Sequence, residues 1–189
     1  MGCNTCSSKR IKKITRGDFA LIPARIYETI AGVRKYYDFA GITWIKAIFN
    51  INEDETFNRW YLPKTGDTVI TSDLINNIST ENIEEGQPIS GPGIPAGSTV
   101  LKTPLSEDSP TIANQIKISQ PASANGTASA LLIGDIEIIG ATNNGLLNIP
   151  VQPEQTSLFS EECSASFKVV VMKNNKPKTV HFENRLVIE

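Results

Sequence analysis

His181 is the only histidine in the chain, and histidine is the side chain whose ordinary pKa lies nearest neutrality. Any general base would be sought there first. It sits in the alternating run Thr179-Val180-His181-Phe182, with no nucleophile and orienting partner supplied alongside it. An ordinary strand side chain is the better reading. Cys3 and Cys6 have the C-x-x-C spacing of a metal or redox pair. A zinc site needs about four ligands, and only Cys163 and His181 remain to complete one. The cysteines read as reduced thiols, two of them on a terminal arm. Paired acids occur at Glu84 with Glu85, Glu107 with Asp108, Glu161 with Glu162, and in the NEDE stretch at residues 52–55. All lie in polar loops, where solvated carboxylates outnumber glycosidase pairs, and NEDE lacks the spaced ligands and glycine of a calcium loop. Gly91, Gly93 and Gly97 suggest a phosphate cradle. No Lys-Ser/Thr follows them, and Pro88, Pro92 and Pro95 remove N–H donors that a cradle would use. Trp60 and Tyr61 could form a sugar-stacking platform; the alternative is that they cap a core. These residues predict a protein that is not an enzyme and holds neither cofactor nor metal.

Charge is unevenly distributed. The formal net charge is -2, yet residues 1–17 hold Lys9, Arg10, Lys12, Lys13 and Arg16 with no acid. This basic arm is a candidate docking element for a partner, through Lys9, Arg10, Lys12 and Lys13. Five cations without interleaved aromatics are a poor nucleic-acid signature, so no nucleic-acid partner is expected. Arg16-Gly17-Asp18 reads as a turn before the first strand. Met-Gly-Cys opens the chain as a myristoylation site would, but Cys6 stands where Ser or Thr is required. No apolar run approaches the roughly 20 residues of a membrane span, and no signal-like apolar stretch follows the basic arm.

The elements that must position these residues divide by composition. Of thirteen aromatic residues, none lies between Tyr61 and Phe159, while that interval holds nine of eleven prolines and nine of thirteen glycines. The two ends read as strands. In ITWIKAIFNIN, residues 42–52, the set Thr43, Ile45, Ala47, Phe49 and Ile51 forms one apolar face. Residues 165–173 and 178–189 read as strand runs joined by NNKP, a turn in which Asn174 and Asn175 accept positive φ. GLLNIPV is a further strand, and QPEQTSLFS reads as one helical turn. Trp44, Phe49 and Phe167 are expected in the core. Neither end has enough strands to close a core alone, but together they offer about six or seven, enough for a small sandwich. DTVIT, STVLKT, NQIKISQ and TASALLIG supply the middle with short strands around an aliphatic core.

Residues 86–132, from GQPISGPGIPAGSTVLKT to NQIKISQPASANGTASALLI, resemble a small β module that recurs in structural proteins of tailed bacteriophages. The flanks resemble a second element, the immunoglobulin-like domain of phage tail and baseplate proteins. Arg16-Gly17-Asp18, the Asp38-Phe39-Ala40-Gly41-Ile42-Thr43 stretch and residues 152–158 occupy its motif positions, with Ala40 where that group usually has threonine. The resemblance implies an all-β fold: an Ig-like β-sandwich from residues 18–65 and 135–189, with an inserted small β domain at 66–134 and the arm at 1–17. It implies a non-enzymatic virion structural protein, an adaptor, stabilising or decoration subunit. Tail or baseplate is favoured over head or neck. Its partners would be other virion proteins, with the chain in many copies or as a homo-oligomer, away from any membrane, in a particle assembled in the bacterial cytoplasm. A glycan-binding or host-adhesion module, using Trp60 and Tyr61, is the alternative.

Overall fold

The computed structural model describes residues 12–50, 56–102, 114–158, 166–180 and 186–188. Among them the chain is all β apart from one short α-helix and one 3-10 turn. In chain order the first strands are β1 (Lys12–Ile14), β2 (Ala20–Arg25), β3 (Tyr27–Ile30), β4 (Val33–Tyr36), β5 (Ile42–Asn50) and β6 (Thr56–Thr68). Then come β7 (Leu74–Asn76), β8 (Ile89–Ser90), β9 (Val100–Lys102), β10 (Ile116–Ile118) and β11 (Gly126–Gly134). The chain continues with β12 (Glu137–Ile138), β13 (Leu146–Val151), α1 (Pro153–Thr156), β14 (Ser166–Lys173), β15 (Lys176–Val180) and β16 (Leu186–Ile188). Two units emerge: Met1–Arg59 with Ile136–Glu189, and Trp60–Asp135.

The first unit holds two sheets that each bury one face. In the first, β15, β14 and β5 lie side by side, all antiparallel. Strand β5 alternates as its sequence requires, with Ile45, Ala47 and Phe49 buried. Residues directly opposite in an antiparallel pair share a face, so these meet Val171, Val169 and Phe167 of β14, also buried. Phe49, 0% exposed, stacks on Phe57 at 4.6 Å and on Phe167 at 5.1 Å between centroids. Trp44 departs from expectation. It sits one residue off this face, opposite Met172, and is half-buried. Asn174 and Asn175 have φ of 53° and 56°, the turn that matches strand twist in a two-residue hairpin.

In the second sheet, ordered β12-β13-β2, Ile22 faces Ile149 and Ala24 faces Leu147, all buried. Pro23 is tolerated because β2 is an edge strand. Helix α1 begins with Pro153 and a reciprocal cap between Gln152 and Gln155. The Thr156 hydroxyl, fully buried, lies 2.9 Å from the Asp18 carbonyl oxygen. Arg16 Nε donates to the Ser157 carbonyl at 3.2 Å. Arg16-Gly17-Asp18 is therefore a turn tied to α1.

The second unit orders β6-β7-β10-β9, with β11 pairing β6 and β8. Its core is aliphatic: Leu62, Ile75, Ile78, Ile89, Val100, Ile116, Ile118, Leu131 and Ile133 are buried. The seam lies before Trp60, where sequence composition placed it after residue 65. Strand pairing is the reason, since Tyr61 through Gly66 run along β11. DTVIT is not a separate strand. It is the end of β6 followed by a turn in which Thr71 has φ of 67°. The glycine- and proline-rich stretch forms a hairpin: Ile89 N–H donates to the Ser98 carbonyl at 3.0 Å and Val100 N–H to that of Gln87 at 2.9 Å. Gly91, at φ 150°, cannot be replaced without movement, because a Cβ there would stand 2.7 Å from the Ala130 carbonyl oxygen.

Two expected outcomes follow from this packing. Phe49→Ala should cost about 3–5 kcal/mol in urea unfolding of the full chain; a loss below about 1 kcal/mol would contradict the stacked core. Asp67 clasps two left-handed residues, accepting from Ala128 N–H at 2.7 Å and from Asn77 Nδ2 at 2.6 Å. These bonds hold its pKa below the ordinary carboxylate value. A carboxylate with a depressed folded pKa adds stability above its unfolded value of about 3.9, and that stability is lost as pH falls through the folded value. Asp67→Asn should therefore lower Tm at pH 7, with the gap from wild type closing in strongly acidic buffer. A gap of constant size across pH would show that the charge is irrelevant.

Candidate interaction surface

Among the described strands, β3 and β4 pair only with each other, joined by Ala31 and Gly32 at φ of 51° and 80°. That turn requires positive φ twice, and Gly32 supplies one position without strain. The register sets Ile30 against Val33, Thr29 against Arg34, Glu28 against Lys35 and Tyr27 against Tyr36. One face therefore carries Tyr27, Thr29, Arg34 and Tyr36, and the other Glu28, Ile30, Val33 and Lys35.

The outer part of the hairpin is exposed, whereas Tyr27 and Glu28 at its base are half-buried. All four residues of β4 are exposed, and the tip pair Ile30 and Val33 is 49% and 56% exposed. On the aromatic face the side chains stack on one another. Arg34 lies 3.9 Å from the Tyr27 ring centroid, Tyr27 and Tyr36 are 5.2 Å apart, and Arg25 lies 5.3 Å from the Tyr36 ring. Cation–π stacking of this kind holds the guanidinium groups in place while leaving their charge available.

The base is anchored, unlike the tip. Tyr37 N–H donates to the Ile26 carbonyl at 3.0 Å and Ile26 N–H to that of Gly145 at 2.7 Å. Lys178 pairs with Glu28 at 3.1 Å, and Lys173 Nζ donates to the Asp38 carbonyl at 2.8 Å. Both lysines stand over the ring of Tyr37, at 5.8 Å for Lys173 and 5.4 Å for Lys178. Tyr37 itself is buried. Burial pushes its pKa above the ordinary phenol value, and the carboxylates of Glu28 and Asp38 push the same way.

Of the candidate site residues named from sequence, Lys12, Lys13, Trp60 and Tyr61 lie among the described residues. Trp60 is buried at 5% exposure, so its ring offers no free face to a sugar. Tyr61 is half-buried, and neighbours along a strand point to opposite sides. Lys12 and Lys13 lie in β1, which pairs in parallel with Leu186 and Val187 of β16. Lys9, Arg10, His181, all three cysteines, residues 52–55, Glu107, Asp108, Glu161 and Glu162 fall outside the described residues. Among the described residues no group of three or more His, Cys, Asp and Glu side chains is placed to hold a metal ion, and no helix is long and apolar enough to cross a membrane. The β3–β4 surface was not singled out in sequence. Its signal was the near-symmetry of YETI-AG-VRKY, with a tyrosine at the far end of each strand.

The anchor can be tested apart from the tip. Replacing Lys173 and Lys178 together with alanine removes exposed pairs worth up to about 1 kcal/mol each. Amide exchange across residues 27–36 should quicken by about five- to tenfold, with little change in Tm. Unchanged exchange would mean that the backbone bonds alone hold the hairpin.

No protein-family model matches the chain, and no curated protein or solved structure matches it either.

Proposed function

We propose that the chain is a non-enzymatic structural protein of a tailed bacteriophage virion, an adaptor, stabilising or decoration subunit, with tail or baseplate ahead of head or neck. In this reading the first unit is an Ig-like β-sandwich built from β15-β14-β5 and β12-β13-β2. The second unit is the glycine- and proline-rich phage module carried within it. The observation that carries the reading is the β3–β4 hairpin. It combines an anchored base, an apolar tip and stacked Tyr and Arg side chains, the residue types enriched where proteins bind one another. The sequence resemblance of residues 86–132 and of the flanking motifs supplies the particle. The buried Trp60 weighs against the sugar-platform alternative.

Gradient-purified particles from a host carrying the gene should contain the chain in many copies by quantitative mass spectrometry. Separated tails should retain it if tail placement is right. Abundant free chain in the lysate with none on particles would end the virion reading, and binding on a glycan array would favour adhesion instead.

A further inference from the structure

An open strand edge runs beside the cations of the β3–β4 hairpin. Strand β4 pairs with β3 on one side and with no described strand on the other. The turn decides which backbone groups face outward. Residues flanking a two-residue turn form a hydrogen-bonded pair, and such pairs alternate along an antiparallel ladder. Ile30 with Val33 is one such pair and Glu28 with Lys35 the next. The N–H and C=O groups of Arg34 and Tyr36 therefore point away from β3, toward the open edge.

Among the described residues, no carboxylate is ion-paired with the cations beside that edge. Glu28 pairs with Lys178 and Asp38 lies by Lys173. Arg25, Arg34 and Lys35 have no ion pair with a described carboxylate. Exposed strand edges in native proteins are usually protected by charge, and three cations of one sign also select what is admitted. A basic strand is repelled there and a neutral one gains backbone bonds alone, whereas an acidic one adds charge-assisted hydrogen bonds.

We propose that β4 takes up an extended acidic segment of a partner protein as a third strand. Its backbone bonds the outward groups of Arg34 and Tyr36, its carboxylates meet Arg34 on the aromatic face, with Arg25 near the far end, and its apolar side chains lie on the opposite face, toward Ile30 and Val33. The partner is a protein, not a nucleic acid, because the edge offers a ladder of alternating donors and acceptors that only another backbone completes. This deepens the reading of the chain as a binding subunit; the partner's being a virion protein rests on that reading, whereas the edge and its charge do not.

The test uses the full chain and a fluorescein-labelled heptapeptide of alternating glutamate and valine, followed by anisotropy. Wild type should bind it, more weakly as salt rises, since screening shortens to about 8 Å at physiological ionic strength. The variant Arg34→Glu should bind at least about tenfold more weakly, with unchanged circular dichroism and Tm. The same peptide N-methylated at alternate residues keeps its charge but loses its donors, and should bind as poorly as the wild-type peptide binds the variant. Absence of binding by wild type, equal binding of the N-methylated peptide, or equally tight binding of an oligothymidylate of the same charge would each overturn the proposal. Particle composition plays no part in this assay, so the virion reading can fail while the edge still binds, or stand while it does not.

Discussion

The pairing of β5 with β14 is the contact on which the first unit depends. It brings Phe49 to Phe167 and Ala47 to Val169, although the whole second unit lies between them in sequence. Closing so long a loop is costly, but the cost grows slowly, by about 0.6 kcal/mol for each doubling of length. A stacked phenylalanine cluster and eight paired residues on β14 outweigh that increment. The same geometry predicts a folding rate limited by long-range pairing, since non-local contacts repay their entropy only after the loop has closed.

Short strands make turns the second constraint. Ala31, Thr71, Asn77, Asn82, Ala128, Asn174 and Asn175 all hold positive φ without being glycine. Asparagine tolerates this region well and alanine or threonine less so. Ala128 is held by the carboxylate of Asp67, and Thr71 by its N–H bond to the Ala122 carbonyl at 2.8 Å. Ala31 holds positive φ at the exposed tip of the β3–β4 turn, beside Gly32.

Sequence and structure agree where a physical signal is local. The alternation in β5, the Asn174-Asn175 turn and the single turn of α1 were all legible, because each rests on period, φ or capping within a few residues. What sequence did not show rests on partners distant in the chain. Composition could not place the seam at Trp60, since residues 61–66 belong where they do only by pairing with β11. Alternation puts Thr43 on the apolar face, yet it is exposed at the strand's start, and Trp44, expected in the core although alternation sets it on the opposite face, is half-buried, because burial depends also on what lies against a strand. The β3–β4 hairpin escaped for a different reason. Its sequence encodes a turn and two strands, but that its outer residues stay exposed is a property of the surrounding fold.

The ends of the second unit offer a last consequence. Tyr61 faces Gly134 across adjacent strands, and Asp135 N–H donates to the Trp60 carbonyl at 2.9 Å. Entry and exit of the unit are thus one strand spacing apart, about 4.8 Å. Segments with adjoining ends are those that insertion tolerates best, because the host chain need not stretch to accommodate them. Trp60 and Asp135 accordingly bring the two ends of this unit side by side, so its termini adjoin as those of a self-contained strand pair do.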